Sequence, residues 1–131
     1  MRHLKKGRKL GRSKSHRAAT LRALAAGLIE HEAITTTVPK AREAGRFVDR
    51  LITTARGGTL AARRLVASRL ASESAAKKLF EDIAPRFRER PGGYTRVTKL
   101  ARFRVGDASQ LARLELVEKK EKPKPDKKSK K

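Results

Sequence analysis

Three histidines are the residues best suited to acid–base catalysis in this sequence: His3, His16 and His31. His31 lies between Glu30 and Glu32. Adjacent residues on a helix point in different directions, so this spacing makes no acid–base pair. No serine elbow or metal-binding spacing accompanies the histidines, and the absence of cysteine excludes zinc knuckles and thiol catalysis. We therefore predict a protein that is not an enzyme and that binds no cofactor or metal.

Phosphate binding is the next chemistry that the residues permit. Residues 7–13 combine two glycines with basic side chains, but their glycine spacing is one residue too short for a nucleotide-binding loop. Arg12 also replaces the lysine that such a loop requires, and no strand precedes the segment. We therefore expect no small-molecule substrate.

Residues 1–17 form a strongly basic segment that contains no acid. The segment has too little apolar surface to order by itself, and its like charges repel one another. Phosphates would neutralise these charges, and the release of condensed counterions would drive binding. We therefore predict an arm that orders on nucleic acid. Its expected contacts are Arg2, His3, Lys5, Lys6, Arg8, Lys9, Arg12, Lys14, His16 and Arg17.

The excess of positive charge extends beyond this arm. The chain of 131 residues has a formal net charge of +22, and residues 18–117 remain basic when both ends are set aside. A basic body suggests a polyanion-binding face and not merely charged ends. We predict one globular domain at 18–117, followed by a disordered, lysine-rich tail at 118–131.

Membrane association is not indicated. No apolar run approaches the roughly 20 residues that span a bilayer, and no apolar segment follows the basic start as in a secretory signal. The arginine-rich start partly imitates a mitochondrial transit peptide. No amphipathic helix with aromatic anchors suggests binding to a membrane surface. We expect no membrane partner.

Hydrophobic periodicity predicts the elements that must position the basic residues. A helix should begin near Ser15, a good N-cap, and end near residues 30–32, and the β-branched stretch 33–38 favours a strand. A second helix should begin at Pro39 and end at the glycine pair 57–58. The core positions of this second helix are Ala41, Ala44, Val48, Leu51, Ile52 and Ala55.

Two more helices and two strands complete the predicted fold. Thr59 should cap a third helix, whose inward residues are Leu60, Leu65, Val66 and Leu70, and a fourth should run from about 74 to 84 and end at Pro85. Alternation predicts strands at 95–105 and 110–117 joined by a hairpin, with Thr95, Val97, Ala101, Phe103 and Val105 on one face of the first strand. This order gives an α+β (two-layer α/β) fold of helix, strand, three helices and two strands. The helices would cover one face of a three-stranded mixed sheet, with the arm extending from it.

Three groups of residues in the body are candidates for contacts with a polyanion. Thr35, Thr36 and Thr37 are either ordinary strand residues or donors to phosphates and 2′-hydroxyls. A row of arginines four residues apart is either a solvated face, paired in part with Glu43 and Asp49, or a direct RNA contact. That row consists of Arg42, Arg46 and Arg50.

The third group is the turn at 92–96. Its paired glycines, Gly92 and Gly93, would let backbone N–H groups approach an anion. Tyr94 would stack on a base or sugar, and Arg96 would take a phosphate. The alternative is a plain tight turn with Tyr94 packed on the core.

The nature of the polyanion follows from what the sequence lacks. No zinc-finger spacing, basic zipper or persuasive helix-turn-helix suggests a reader of the DNA major groove. Aromatic residues make up 4% of the chain, which argues against a single-strand base-stacking module. The remaining possibility is a protein that recognises a folded RNA by its backbone and shape. An architectural protein that binds duplex DNA without sequence preference is the alternative.

Three separated motifs resemble the bacterial large-subunit ribosomal protein seventeen family. The first comprises residues 1–3, 7–12 and 16–17, the second is residues 34–41, and the third comprises residues 84–87 and 90–96. The resemblance covers roughly residues 1–117. It adds Lys40, Arg86, Arg90 and Thr95 to the expected RNA contacts.

This resemblance implies a structural component of the ribosome that binds large-subunit ribosomal RNA. It implies a cytoplasmic location, near the nascent-chain exit. It also implies contacts with neighbouring ribosomal proteins, including protein thirty-two. Because the family begins with the same arm, we expect the arm to belong to the mature protein.

Overall fold

A computed structural model describes residues 3–120 of the chain. Its elements are α1 (Lys14–His31), β1 (Ala33–Thr37), α2 (Val38–Arg56), α3 (Leu60–Leu70), α4 (Glu73–Lys78), α5 (Ala84–Arg86), β2 (Thr95–Phe103) and β3 (Gln110–Leu116). A π-helical turn, Leu79–Ile83, joins α4 to α5. The α+β class and the predicted order of elements are confirmed. Arg2 and most of the predicted tail lie outside the described residues.

The three strands form one sheet in the order β1-β3-β2, and both pairings are antiparallel. The prediction of a mixed sheet is wrong, because the helices that connect β1 to β2 do not place these two strands side by side. Those helices do return the chain so that β2 runs parallel to β1. The last strand, β3, then lies between these two and runs antiparallel to each.

The start of α1 is set by Ser13, two residues before the predicted cap. The Ser13 side chain accepts a hydrogen bond from the backbone N–H of His16, which satisfies one of the free donors of the first turn. The last four residues of the arm 1–17 are therefore already helical. The helix ends at His31, within the predicted range of 30–32, and Glu32 caps it with left-handed backbone at φ +63°.

The core lies between the helices and one face of the sheet. All six predicted core positions of α2 are buried, and Leu114 and Leu116 of β3 are fully buried beneath the helices. Gly45 lies where α2 packs closely against the sheet. A Cβ atom at Gly45 would lie 3.2 Å from the Thr95 Oγ1 and 3.4 Å from the Leu114 Cδ1. The helix therefore accepts a residue of poor helix propensity in order to pack tightly on the sheet.

Replacing Gly45 with valine is expected to lower the free energy of unfolding by about 1–3 kcal/mol, because the added atoms overpack this contact. Urea unfolding measures the change. The matched control is Gly27→Ala in α1, where the new Cβ would lie an ordinary 3.7 Å from the Ile34 Cγ2. That variant should be stabilised, by up to about 1 kcal/mol. Equal effects at the two glycines would contradict the close approach of α2.

Three predictions about the outer elements are wrong. Leu60 and Leu65, expected to point inward, are 62% and 43% exposed, because α3 lies at the edge of the domain and buries only a narrow stripe of Ala62, Val66 and Leu70. Pro85 does not end the fourth helix. The wider π turn precedes it, and the chain continues through α5.

The third wrong prediction concerns the hairpin between β2 and β3. Phe103 and Val105, expected on one face with the core residues of β2, are 61% and 100% exposed. The pairing register shifts between Lys99 and Phe103, and residues 101–108 are all exposed. The hairpin therefore projects beyond the layer of helices.

Candidate nucleic-acid interface

The arm follows a defined path against the helices. Arg12 donates its backbone N–H to the Lys9 carbonyl at 3.1 Å, and the two residues between them, Leu10 and Gly11, both have positive φ. Two central residues with positive φ are the mark of a type I′ turn. The Arg12 guanidinium also donates to the Leu10 carbonyl at 3.1 Å, which fixes the turn. The arm therefore enters α1 at a set angle.

A basic groove of about 790 Å³ opens between the arm, α1 and α2. Its cationic lining residues are Lys6, Arg8, Arg17, Arg46 and Arg50, and its carboxylates are Glu43 and Asp49. Positive charge exceeds negative charge here, and the groove is open to solvent. This is the arrangement expected for a phosphate backbone.

Glu43 anchors one wall of the basic groove. It is only 8% exposed. Its carboxylate lies 3.8 Å from the Arg8 Nε and 3.3 Å from the Arg46 Nη1. Among the described residues, the side chains of Lys6, Arg17 and Arg50 have no such partner. Their charges remain available to an anion.

Asp49 joins the basic groove to the sheet. Its carboxylate accepts a hydrogen bond from the Thr95 hydroxyl at 3.1 Å. Burial raises the pKa of Asp49 above its ordinary value, and the bond from Thr95 opposes that shift. The Thr95 hydroxyl is thus engaged inside the protein rather than presented to RNA.

The sheet face that the helices leave uncovered carries a second basic cluster. Glu115 is at its centre, with its carboxylate 2.8 Å from the Lys119 Nζ, 3.4 Å from the Arg113 Nε and 3.9 Å from the Arg96 Nη1. The hydrogen bond from Lys119 is the main cause that lowers the pKa of Glu115. Three partly exposed cations around one carboxylate leave this open sheet face positive.

The three threonines of residues 35–37 differ in their exposure and in the face of the sheet on which they lie. Thr35 is exposed and lies opposite Arg113 on the open sheet face. Thr36 lies opposite Ala112 on the core side and is half-buried. Thr37 is 8% exposed and precedes α2 as its N-cap residue. Of the three threonines, Thr35 is the one that is exposed.

Arg86 is engaged in contacts inside the protein. Its guanidinium donates two bonds to the Glu32 carboxylate, at 2.9 and 3.2 Å, and a third to the Glu118 carbonyl at 3.0 Å. Its side chain is 16% exposed. These bonds are the main cause that lowers the pKa of Glu32. The pair joins the end of α1 to α5.

Replacing Glu32 with glutamine is expected to lower the free energy of unfolding at neutral pH by about 1–3 kcal/mol, because Arg86 loses its charged acceptor. The folded pKa of Glu32 is depressed, so this stabilisation is present above the unfolded pKa of about 4.3 and is lost as the pH falls through the folded pKa. Urea unfolding of both proteins over an acidic pH series measures the effect. The difference between them should shrink on acidification, and a constant difference would contradict the ion pair as its source.

Tyr94 belongs to the core, so the prediction that it stacks on a base is wrong. The side chain is fully buried, and its ring meets Phe87 edge-to-face at 5.2 Å between centroids. Its hydroxyl accepts a hydrogen bond from the Arg56 Nη1 at 2.9 Å. The alternative, a tight turn with Tyr94 packed on the core, is the arrangement observed.

The other predicted residues lie at the surface or near it. Arg90 donates to the Gly93 carbonyl at 3.2 Å and lies 3.8 Å from the Glu118 carboxylate, so it stabilises the turn at 92–96. Arg42 is exposed but does not line the basic groove, and Lys40 is half-buried. The exposed residues of the arm and first turn are His3, Lys5, Lys6, Arg8, Lys9, Lys14 and His16.

Sequence reasoning missed Arg113 and Lys119. Arg113 lies two residues before Glu115 and Lys119 four residues after it, so both reach its carboxylate through local spacing, and the register of β3 beside β2 adds Arg96. Alternation along β3, which puts Arg113 and Glu115 on the face away from the core, was an available signal.

Within residues 3–120, no group of three or more histidine or carboxylate side chains could hold a metal ion. No helix in the same part of the chain is long and apolar enough to cross a membrane.

Comparison with known proteins shows the family of this chain. A family model described as Ribosomal protein L17 matches residues 20–117. Proteins named "Large ribosomal subunit protein bL17" from two strains of Thermus thermophilus are each 58% identical to this chain over 118 residues. The alignments cover 90% of this chain and all of each relative. They confirm the family predicted from the three motifs, and with it a structural protein of the ribosome rather than an enzyme. The chain belongs to the Ribosomal protein L17 family.

Proposed function

We propose that this chain binds and stabilises folded large-subunit ribosomal RNA, with the basic groove on the sugar-phosphate backbone. The observation that carries the proposal is the groove itself, where Lys6, Arg17 and Arg50 line an open cavity without internal partners among the described residues. Buried Glu43 supports it by holding Arg8 and Arg46 at the groove wall. Fixed cations lose less conformational entropy when a phosphate binds.

The open sheet face supplies a second RNA contact in this proposal. Arg96 and Arg113 are each at least half exposed, and Glu115 fixes their positions on the strands. Thr35 adds a hydroxyl donor to the same face. The surface has a fixed pattern of donors without a row of aromatic rings, which suits recognition of RNA backbone and shape.

The family resemblance also supports a proposal for the position of the protein in the ribosome. We propose a site near the nascent-chain exit and contacts with neighbouring proteins, including protein thirty-two. Lysine-directed crosslinking of intact large subunits, followed by mass spectrometry of the joined peptides, tests this. Crosslinks from Lys5 or Lys119 to proteins remote from the exit would contradict it.

Sedimentation tests the proposed function. Tagged protein from its own cells is centrifuged through a sucrose gradient at high salt, which removes loosely bound basic proteins. We expect one copy per large subunit to remain, because an arm and a groove enclosed by folded RNA do not exchange freely. Loss of the protein from the subunit, or sedimentation with the chromosome, would contradict the proposal.

A further inference from the structure

Phe103 is the one aromatic side chain that the fold leaves exposed. The chain contains four phenylalanines and one tyrosine, all within the described residues. Phe87 and Tyr94 pack together in the core, Phe47 is half-buried, and Phe80 lies under the Arg63 guanidinium at 5.1 Å. Phe103 is 61% exposed, and neither ring contact nor cation covers it in the part of the chain that is described.

The hairpin that carries Phe103 is held rigidly at its tip. The Arg104 guanidinium donates two bonds to the Asp107 carboxylate. Ser109 donates its hydroxyl to the same carboxylate at 2.6 Å, and its carbonyl accepts the Arg104 backbone N–H at 2.8 Å. A ring on a fixed support binds with little loss of conformational entropy. Phe103 is thus exposed on a hairpin whose tip is fixed by hydrogen bonds.

The charges around Phe103 favour an anionic occupant. Lys99 and Arg102 precede it on β2, are exposed, and have no ion pair or hydrogen bond from their side chains among the described residues. Asp107 is the only acid between residues 99 and 113, and it is already paired with Arg104. An apolar protein pocket would have to bury these unpaired cations, which costs free energy. RNA would neutralise them.

We propose that Phe103 stacks on an unpaired nucleobase of the bound RNA, while Arg102 and Lys99 contact the flanking phosphates. This inference rests on the proposed function and names a base contact for it. An aromatic ring between basic residues is the arrangement that binds unstacked bases, since every base offers a π-face to the ring. In this proposal Phe103, in the hairpin, has the stacking role that the sequence suggested for Tyr94.

Tryptophan fluorescence tests the proposal directly, because the chain contains no tryptophan. Phe103→Trp introduces a single reporter at an exposed position, and Val105→Trp, at a position that is 100% exposed on the same hairpin, is the matched control. Each full-length variant is titrated with transcribed large-subunit ribosomal RNA. We expect a stacked base to quench the indole emission of Phe103→Trp strongly and the emission of Val105→Trp much less.

Affinity measurements give the second readout. Phe103→Leu keeps an apolar side chain but has no π-face, so its affinity for the same RNA should fall roughly 5- to 150-fold, as should that of Phe103→Ala. Phe103→Trp should retain the affinity. A leucine variant that binds as tightly as the unchanged chain would overturn the proposal. So would an indole signal in Phe103→Trp that responds only to added ribosomal proteins.

The two failures are distinguishable. If Phe103→Trp binds the RNA with the usual dependence on salt but its emission does not change, base stacking is wrong and RNA binding stands. If neither the variants nor the unchanged chain binds the RNA, the proposed function fails and the stacking proposal fails with it.

Discussion

Truncation of Tyr94 to alanine should lower the free energy of unfolding by about 3–5 kcal/mol. The side chain is fully buried, packs edge-to-face on Phe87, and accepts a hydrogen bond from Arg56. Its loss leaves a cavity and removes an acceptor from a guanidinium whose Nε already has no partner within the described residues. Urea unfolding measures the change. RNA affinity of the folded fraction should be unchanged.

Tyr94→Phe separates the ring from its hydroxyl. It keeps the packing against Phe87 but removes the acceptor for Arg56, so we expect a loss of about 1 kcal/mol in the free energy of unfolding. Comparison of the two variants should show that most of the lost free energy of unfolding comes from the buried ring. A Tyr94 variant that folds with normal stability but loses RNA affinity would contradict the core role and indicate that Tyr94 contacts RNA.

Among substitutions of exposed charged residues, we expect the neutralisation of two cations of the basic groove to weaken RNA binding most. In Lys6→Ala/Arg50→Ala, two phosphate contacts are lost, so the slope of log K against log salt should flatten by about 1.4–1.8. At physiological salt the affinity should fall roughly 10- to 30-fold. Filter binding or fluorescence anisotropy over a salt series gives both quantities.

A matched variant controls for the loss of net charge. Lys77→Ala/Arg64→Ala removes the same two residue types from exposed positions on α4 and α3, outside the basic groove. Its slope should be close to that of the unchanged chain, since long-range attraction is screened within about 10 Å. If both double variants flatten the slope equally, binding depends on net charge alone and the groove has no special role.

Much of the fold could be predicted because α2 and β3 carry strong periodic patterns. The buried stripe of α2 was correct at every position, since its apolar residues repeat with helical spacing along the whole helix. The edge helix α3 was harder to predict. Its leucines fit a helical pattern, but whether a neighbour covers them depends on tertiary packing, so Leu60 and Leu65 were assigned to the core and are exposed.

The site was predicted less completely, because residue type does not reveal a partner. Arg86 and Arg96 both looked like RNA-binding arginines in the sequence. The fold brings Glu32 to Arg86 from 54 residues away and closes an internal ion pair, whereas Arg96 stays 58% exposed beside Glu115. Tyr94 follows a glycine pair, which suggested an exposed turn. The ring instead turns inward onto Phe87.

Competition binding tests the central claim of RNA recognition most directly. The full-length protein, bound to labelled large-subunit ribosomal RNA, is challenged at physiological salt with unlabelled folded RNA or with linear duplex DNA of equal phosphate concentration. We predict that the folded RNA competes far more effectively, because the basic groove and the open sheet face match a folded RNA surface. Equal or stronger competition by duplex DNA would contradict the account and favour an architectural DNA-binding protein.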